Sequence, residues 1–221
     1  MPHIHKALAA ASAAAFMASA TPLFAQGPAY QVVEISGQAE AYDPESQQWG
    51  PLGPGRRLDP GSKVRTGPEG SVDLAADAHF ENMLRIGPDS RVTFLDLIPL
   101  RIALDEGSLF VLKEEQRYVG VDPEKTPELR ILTRNFLVSV RQGGCKLEST
   151  QRDVVLKVFS ESVRIQPMAE NSYSSVPFTV EEGFQYSPDG WTRLSYPDYV
   201  VWQAWYKKNN ERKDDLVRSR H

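Results

Sequence analysis

Few residues in this chain have the types and spacing for covalent or metal chemistry. Beyond His3 and His5 near the start, only His79, His221 and a single cysteine, Cys145, could serve as soft ligands or nucleophiles. Zinc needs three or four convergent ligands, and no such cluster is visible. His79 alone reads as a surface or edge-strand residue. The acidic pairs Asp105-Glu106, Glu114-Glu115 and Glu181-Glu182 could in principle supply the two carboxyls of a glycosidase. Neighbours on a strand, however, point to opposite faces, and acids are mostly solvated. Neither a G-x-S-x-G elbow nor a phosphate-binding G-x-x-x-x-G-K-[ST] loop occurs. The expectation is a non-enzymatic protein with no metal site and no cofactor. Cys145 cannot form an internal disulfide and reads as a buried structural thiol.

Aromatic residues are the remaining candidates for recognition. In YVVWQAWYKKNNERK, Tyr199, Trp202 and Tyr206 recur at spacings of three and four, with Trp205 beside them. This is the stripe of an amphipathic helix. Such a stripe either packs on an open face of its own sheet system or forms an exposed patch, with Trp202, Trp205 and Tyr206 as partner-binding residues. Trp49 and Trp191, at strand and hairpin edges, read as packing residues.

The elements that must position these residues are strands. From Gln31 onward apolar residues alternate: Val64 and Thr66, Val72 and Leu74, Leu84 and Ile86, Val92 and Phe94, Leu109 and Val111, Val138 and Val140, Val163 and Ile165. Period two marks half-buried strands. Between them recur corners such as Leu58-Asp59-Pro60-Gly61, Leu104-Asp105-Glu106-Gly107 and Val180-Glu181-Glu182-Gly183. Each reads as a hairpin turn closed by a glycine with φ > 0, with Ser62 one residue later in an ordinary strand. The expected fold is all-β, an antiparallel sandwich or roll of short strands, with one C-terminal amphipathic helix. Lys113 to Arg130, with Pro123 and Pro127, reads as a charged surface excursion. Either Ser195 or Asp198 is placed to cap the helix, and its tail KKNNERKDDLVRSRH is expected to fray.

The first residues differ from the rest. One lysine, an apolar run from Ala7 to Ala20 and small residues behind it make a secretory signal peptide, too short to span a bilayer. Cleavage falls after Ala20 or Ala25, the latter preferred because Gln26 opens the polar chain. The expected layout is a signal peptide over 1–25, a β domain over 26–195, and a helix with a charged tail over 196–221. Loss of residues 1–25 removes one lysine and no acid, taking the net charge from −4 to −5. That excludes the basic surface on which nucleic-acid binding depends. The expected location is periplasmic or otherwise extracytoplasmic, with no transmembrane segment after processing.

Taken in order, these features resemble the FecR-domain family of extracytoplasmic β modules. The match runs through Gly37, Trp49 with Leu52 and Gly55, Leu58 with Gly61, Val64-Arg65-Thr66-Gly67, and Val72-Asp73-Leu74. It continues in Leu84-Arg85-Ile86-Gly87-Pro88-Asp89-Ser90-Arg91-Val92, Leu104 with Gly107, Val138-Ser139-Val140-Arg141, and Val180 with Gly183. It is strongest over 33–112 and looser to 183, where Arg134 follows Thr133 and Gly143-Gly144-Cys145 replaces a Gly-Thr step. The family's signalling members join such a domain to a membrane helix and a cytoplasmic anti-sigma part, which this sequence does not show. The resemblance implies a stand-alone periplasmic version that acts by protein interaction or signalling in the envelope. An envelope protein is the expected partner, with peptidoglycan or polysaccharide as the alternative.

Overall fold

A computed structural model describes residues 29–97, 100–114, 128–150, 152–168 and 176–219. The signal peptide expected over 1–25 and most of the 113–130 excursion lie outside them. The described chain is all-β with one C-terminal helix, as the alternation implies. The first seven strands are β1 (Tyr30–Ser36), β2 (Ala39–Asp43), β3 (Gln48–Pro51), β4 (Arg57–Leu58), β5 (Lys63–Thr66), β6 (Ser71–Ala75) and β7 (Asn82–Ile86). Then come β8 (Arg91–Leu97), β9 (Leu100–Lys113), β10 (Leu129–Leu132), β11 (Phe136–Val140) and β12 (Gly143–Ser149). The last are β13 (Val154–Ser160), β14 (Ser162–Pro167), β15 (Phe178–Glu181), β16 (Phe184–Ser187) and β17 (Gly190–Arg193), followed by helix α1 (Tyr196–Arg218).

Hydrogen-bonded pairing sorts the strands into two sheets that share β9. Sheet A runs β4-β1-β6-β7-β9-β12-β13-β16-β17 and uses the second half of β9. Sheet B runs β3-β2-β5-β8-β9-β10-β11-β14-β15 and uses the first half. Pairing is antiparallel except between β9 and β10, where Arg101–Ala103 run parallel to Arg130–Leu132. The purely antiparallel expectation is corrected at that one ladder.

The inner faces of the two sheets close on one core. Sheet A contributes Leu74, Leu84, Val111, Leu147 and Leu156, and sheet B contributes Val64, Phe94, Ile102, Val138 and Ile165. Cys145 belongs to it, free and fully buried; burial pushes its thiol up to about 12, so it is a packing group rather than a nucleophile.

The repeated corners have a different job from the one their local sequence suggests. Gly61, Gly107 and Gly183 do hold positive φ, at 88°, 94° and 84°. None of them closes a hairpin. Gly61 lies where the chain leaves β4 of sheet A for β5 of sheet B, and Gly183 where it leaves β15 of sheet B for β16 of sheet A. Gly107 sits inside continuous β9, at the point where that strand passes from one sheet to the other. Val140-Arg141-Gln142-Gly143 repeats the device between β11 and β12, with φ 106° at Gly143. In each case a core residue (Leu58, Leu104, Val140 or Val180), at most 1% exposed, anchors the first sheet three positions before the glycine. The positive φ then turns the backbone sharply enough to reach the second. Ser62 is likewise not an ordinary strand residue: its hydroxyl accepts the Asp59 N–H at 3.1 Å and closes the corner.

Sheet A is apolar on both faces and sheet B on one. The run Leu109-Phe110-Val111-Leu112 alternates between the core and a second cluster on the outer face of sheet A, formed by Ala75, Met83, Phe110, Leu112 and Phe159. Sheet B instead turns charged and aromatic groups outward: Arg65 bonds Glu40 at 2.5 Å and stacks on Trp49 at 4.4 Å. Helix α1 covers the second apolar face of sheet A with Trp202 and Trp205.

Candidate functional site

The helix is placed by its ends. Ser195 is the N-cap, and Asp198 accepts from its backbone N–H and its hydroxyl, so the two residues that competed for the capping role act as one unit. Asp198 also receives Lys157 Nζ from β13 at 2.8 Å. Burial pushes the Asp198 carboxyl up, but the Lys157 and Ser195 hydrogen bonds outweigh it and hold the group below its ordinary value. At the other end the expected fray is absent. The helix continues to Arg218, because Lys208 and Arg212 bind Glu34 of β1 and Lys213 binds Glu114.

Between these ends, the buried stripe is Trp202, Trp205 and Asn209, rotated from the predicted Tyr199, Trp202 and Tyr206. Trp205 is 1% exposed, and its Nε1 donates to Asp73 Oδ1 at 3.2 Å. Asp73 is the hub of a buried ion cluster. Arg85, directly opposite on β7, gives it two hydrogen bonds at 2.6 and 2.9 Å, and Arg212 gives a third at 2.8 Å. Burial acts to raise the Asp73 carboxyl, yet Arg85 and Arg212 prevail and hold it below the usual range. The sequence reading missed this cluster. Its one signal was a charge at an outward position of β6, in Val-Asp-Leu, matched by an arginine at the same position of β7, in Leu-Arg-Ile.

The three candidate partner-binding residues therefore occupy different places. Trp202 and Trp205 are buried against sheet A and present little ring surface to solvent, whereas Tyr206 on the helix flank is 38% exposed. Trp202 lies nearly parallel to Phe159, at 4.8 Å and 1°, and to Tyr206, at 6.2 Å and 15°. The Gly143-Gly144-Cys145 departure makes room for it. A Cβ at Gly144 would stand 2.2 Å from Trp202 Cζ2. Gly144→Ala should accordingly cost about 1–3 kcal/mol by overpacking, read as a lower urea midpoint with an altered near-ultraviolet tryptophan spectrum.

Beside the helix, Trp202 and Tyr206 form one wall of a cavity of 630 Å³. The rest of its lining comes from strand ends of sheet A and the turns beside them: Leu112 and Gly143, with the polar Glu81, Lys113, Glu114, Gln142, Ser160 and Glu161. Lys113 is 7% exposed, and burial lowers its ammonium from the ordinary value while Asp77 acts against that. No hydrogen bond or ion pair reaches its Nζ among the described residues. Burial raises the Glu81 carboxyl, with Asp77 and Glu114 adding to the effect. His79 lies half-buried in the loop between β6 and β7, where Asp77 Oδ1 accepts its backbone N–H. Among the described residues no three His, Cys, Asp or Glu side chains are arranged to hold a metal ion. No helix among them is long and apolar enough to cross a membrane.

A second exposed feature is the sheet edge at β17, where Trp191 is 48% exposed and Thr192 and Arg193 are open to solvent. Leu194 N–H donates to Gly183 O at 2.9 Å. The alternation of an antiparallel ladder then turns the backbone groups of Trp191 and Arg193 away from β16, toward the open side. Trp191 still touches Phe178 and Tyr186, at 5.4 and 5.7 Å, so its inner side packs while its outer side remains bare.

The fold and these surfaces define a two-sheet β module with a strapped helix. Two solved structures are similar to it, both of a "putative anti-sigma factor" from Parabacteroides distasonis. Their TM-scores are 0.47 and 0.46 at 10% identity; the matches cover 64% of this chain and 63% and 64% of theirs. The chain thus spans under two thirds of the structures it matches. No family model and no curated protein matches the sequence.

Proposed function

We propose that the chain is an exported, non-enzymatic FecR-like module that docks onto a partner protein in the cell envelope, with β17 as the docking strand. The observation that carries the reading is the open β17 edge. Edge strands are usually blunted against pairing, and this one instead exposes a tryptophan along with two sets of backbone groups that are unpaired among the described residues. An extended segment of a partner adds a strand there through main-chain hydrogen bonds, and Trp191 supplies the side-chain anchor. The order of FecR-like corners in the sequence supports the family, and the leader supports export.

A pull-down from native envelope with the processed chain as bait tests both parts. Mass spectrometry of the native protein purified from the envelope should find its N-terminus at Gln26, or at Thr21. Arg193→Pro removes one free edge donor and leaves the ladder to β16 intact, so it should abolish capture of a partner that the parent retains. A partner held equally well by both chains removes β17 from the reading.

A further inference from the structure

The cavity beside Tyr206 lies away from β17 and has a chemistry of its own. We propose that it is a saccharide-binding site that takes one sugar residue of a glycan. A pyranose has an apolar C–H face and a rim of hydroxyls, so its receptor needs a flat ring and convergent acceptors at short range. Trp202 stacks with Phe159 and with Tyr206. Tyr206 is held nearly parallel to Trp202, is 38% exposed and lines the cavity, so its ring is the platform on which a sugar can lie. Glu81, Glu161, Gln142 and Ser160 line the same cavity and supply carboxylate, amide and hydroxyl acceptors for the hydroxyl rim. Glu114 is committed to Lys213 and serves as wall.

Lys113 supplies the independent observation. It is 93% buried, lines the cavity and carries no hydrogen-bonded partner among the described residues. The stem of Lys113 is buried while its ammonium is not sealed from solvent, so at the cavity wall it is free to donate to an acceptor that a ligand brings. The acyl oxygen of an N-acetylated sugar or the carboxylate of a uronic acid fits that role. Other ligands fit less well. A free phosphate would meet three glutamates, and a lysine or arginine side chain would set a second cation against Lys113.

Calorimetric titration of the exported full-length chain with chitotriose, cellotriose and tri-galacturonate tests the assignment. At least one trisaccharide should saturate a single site. Tyr206→Ala should weaken that binding at least about tenfold with an unchanged melting temperature, and Trp191→Ala on the distant edge should leave it as it is. Lys113→Met should weaken chitotriose or tri-galacturonate more than cellotriose. Failure of all three sugars to saturate by about 20 mM, far above a millimolar dissociation constant, overturns the proposal. So does binding that survives Tyr206→Ala, or a site that takes N-acetyl-lysine methylamide in preference to every sugar. None of these results bears on capture at β17, so the two readings fail separately.

Discussion

Gly107→Val should be among the most damaging single substitutions in the chain, and Gly61→Val should be distinctly milder. Both glycines hold positive φ, which costs a β-branched residue about 1–3 kcal/mol. They differ in what surrounds them. A Cβ at Gly61 meets nothing within 4 Å, so the backbone term stands alone. At Gly107 it would stand 2.2 Å from Ser90 Oγ and 2.4 Å from Ser90 Cα. Ser90 cannot retreat. It is fully buried, its hydroxyl accepts the Ser108 N–H at 2.9 Å, and its own N–H donates to Thr66 Oγ1 at 2.9 Å. Overpacking then adds about 1–3 kcal/mol, for a total of about 2–6 kcal/mol against a typical stability of about 5–15 kcal/mol. Urea melts of both variants and the parent check the ranking. Equal midpoints for the two valine variants would show that the Ser90 contact does not hold the strand where it crosses between sheets.

Asp73→Ala should cost about 3–5 kcal/mol, the loss expected when one partner of a buried ion pair is removed and its counter-charges remain. Arg85 and Arg212 would face each other across the vacated position, and Trp205 Nε1 would lose its acceptor. Asp96→Ala, at a pair with Arg101 whose side chains are 47% and 41% exposed, should cost under about 1 kcal/mol. The pH dependence follows from the same cluster. Asp73 is held below its ordinary value when folded, so its contribution is fully present above about pH 4, the unfolded value. It is lost as pH falls through the folded value. The parent should therefore lose stability on acidification below about pH 4 more steeply than Asp73→Ala, as thermal melts across that range would show. Parallel acid profiles for the two chains would mean that the cluster contributes nothing to holding the helix.

How far the sequence reaches can be judged residue by residue. Alternation such as Val72 and Leu74 is a local property of the pleat, so strands and the all-β class were legible from it. Positive φ at Gly61, Gly107 and Gly183 was legible too, because only glycine tolerates that backbone freely. Their purpose was not. A turn that closes a hairpin and a turn that crosses between sheets use the same dihedral angles. Which one forms depends on where the next strand finds its partner, a long-range matter.

The candidate site divides in the same way. The spacing of Trp202 and Tyr206 announced a helix with one apolar side, and Leu109-Phe110-Val111-Leu112 carried the sign of a strand buried on both faces. The exact buried stripe depended on what lay beneath it. Asp73 accepts from Trp205, and Gly144 leaves a space for Trp202, so the helix settles with Trp205 inward and Tyr206 on the flank. The charged tail looked like a solvated end because each of its residues is polar. Arg212 and Lys213 are instead paired with Asp73, Glu34 and Glu114, between 99 and 178 positions away in the chain. Residue types and local periodicity thus determined the strands, the glycine conformations and the existence of the helix. Tertiary structure alone decided the sheet crossings, the ion cluster and the cavity, because each depends on groups that only the folded chain brings within a few ångströms of one another.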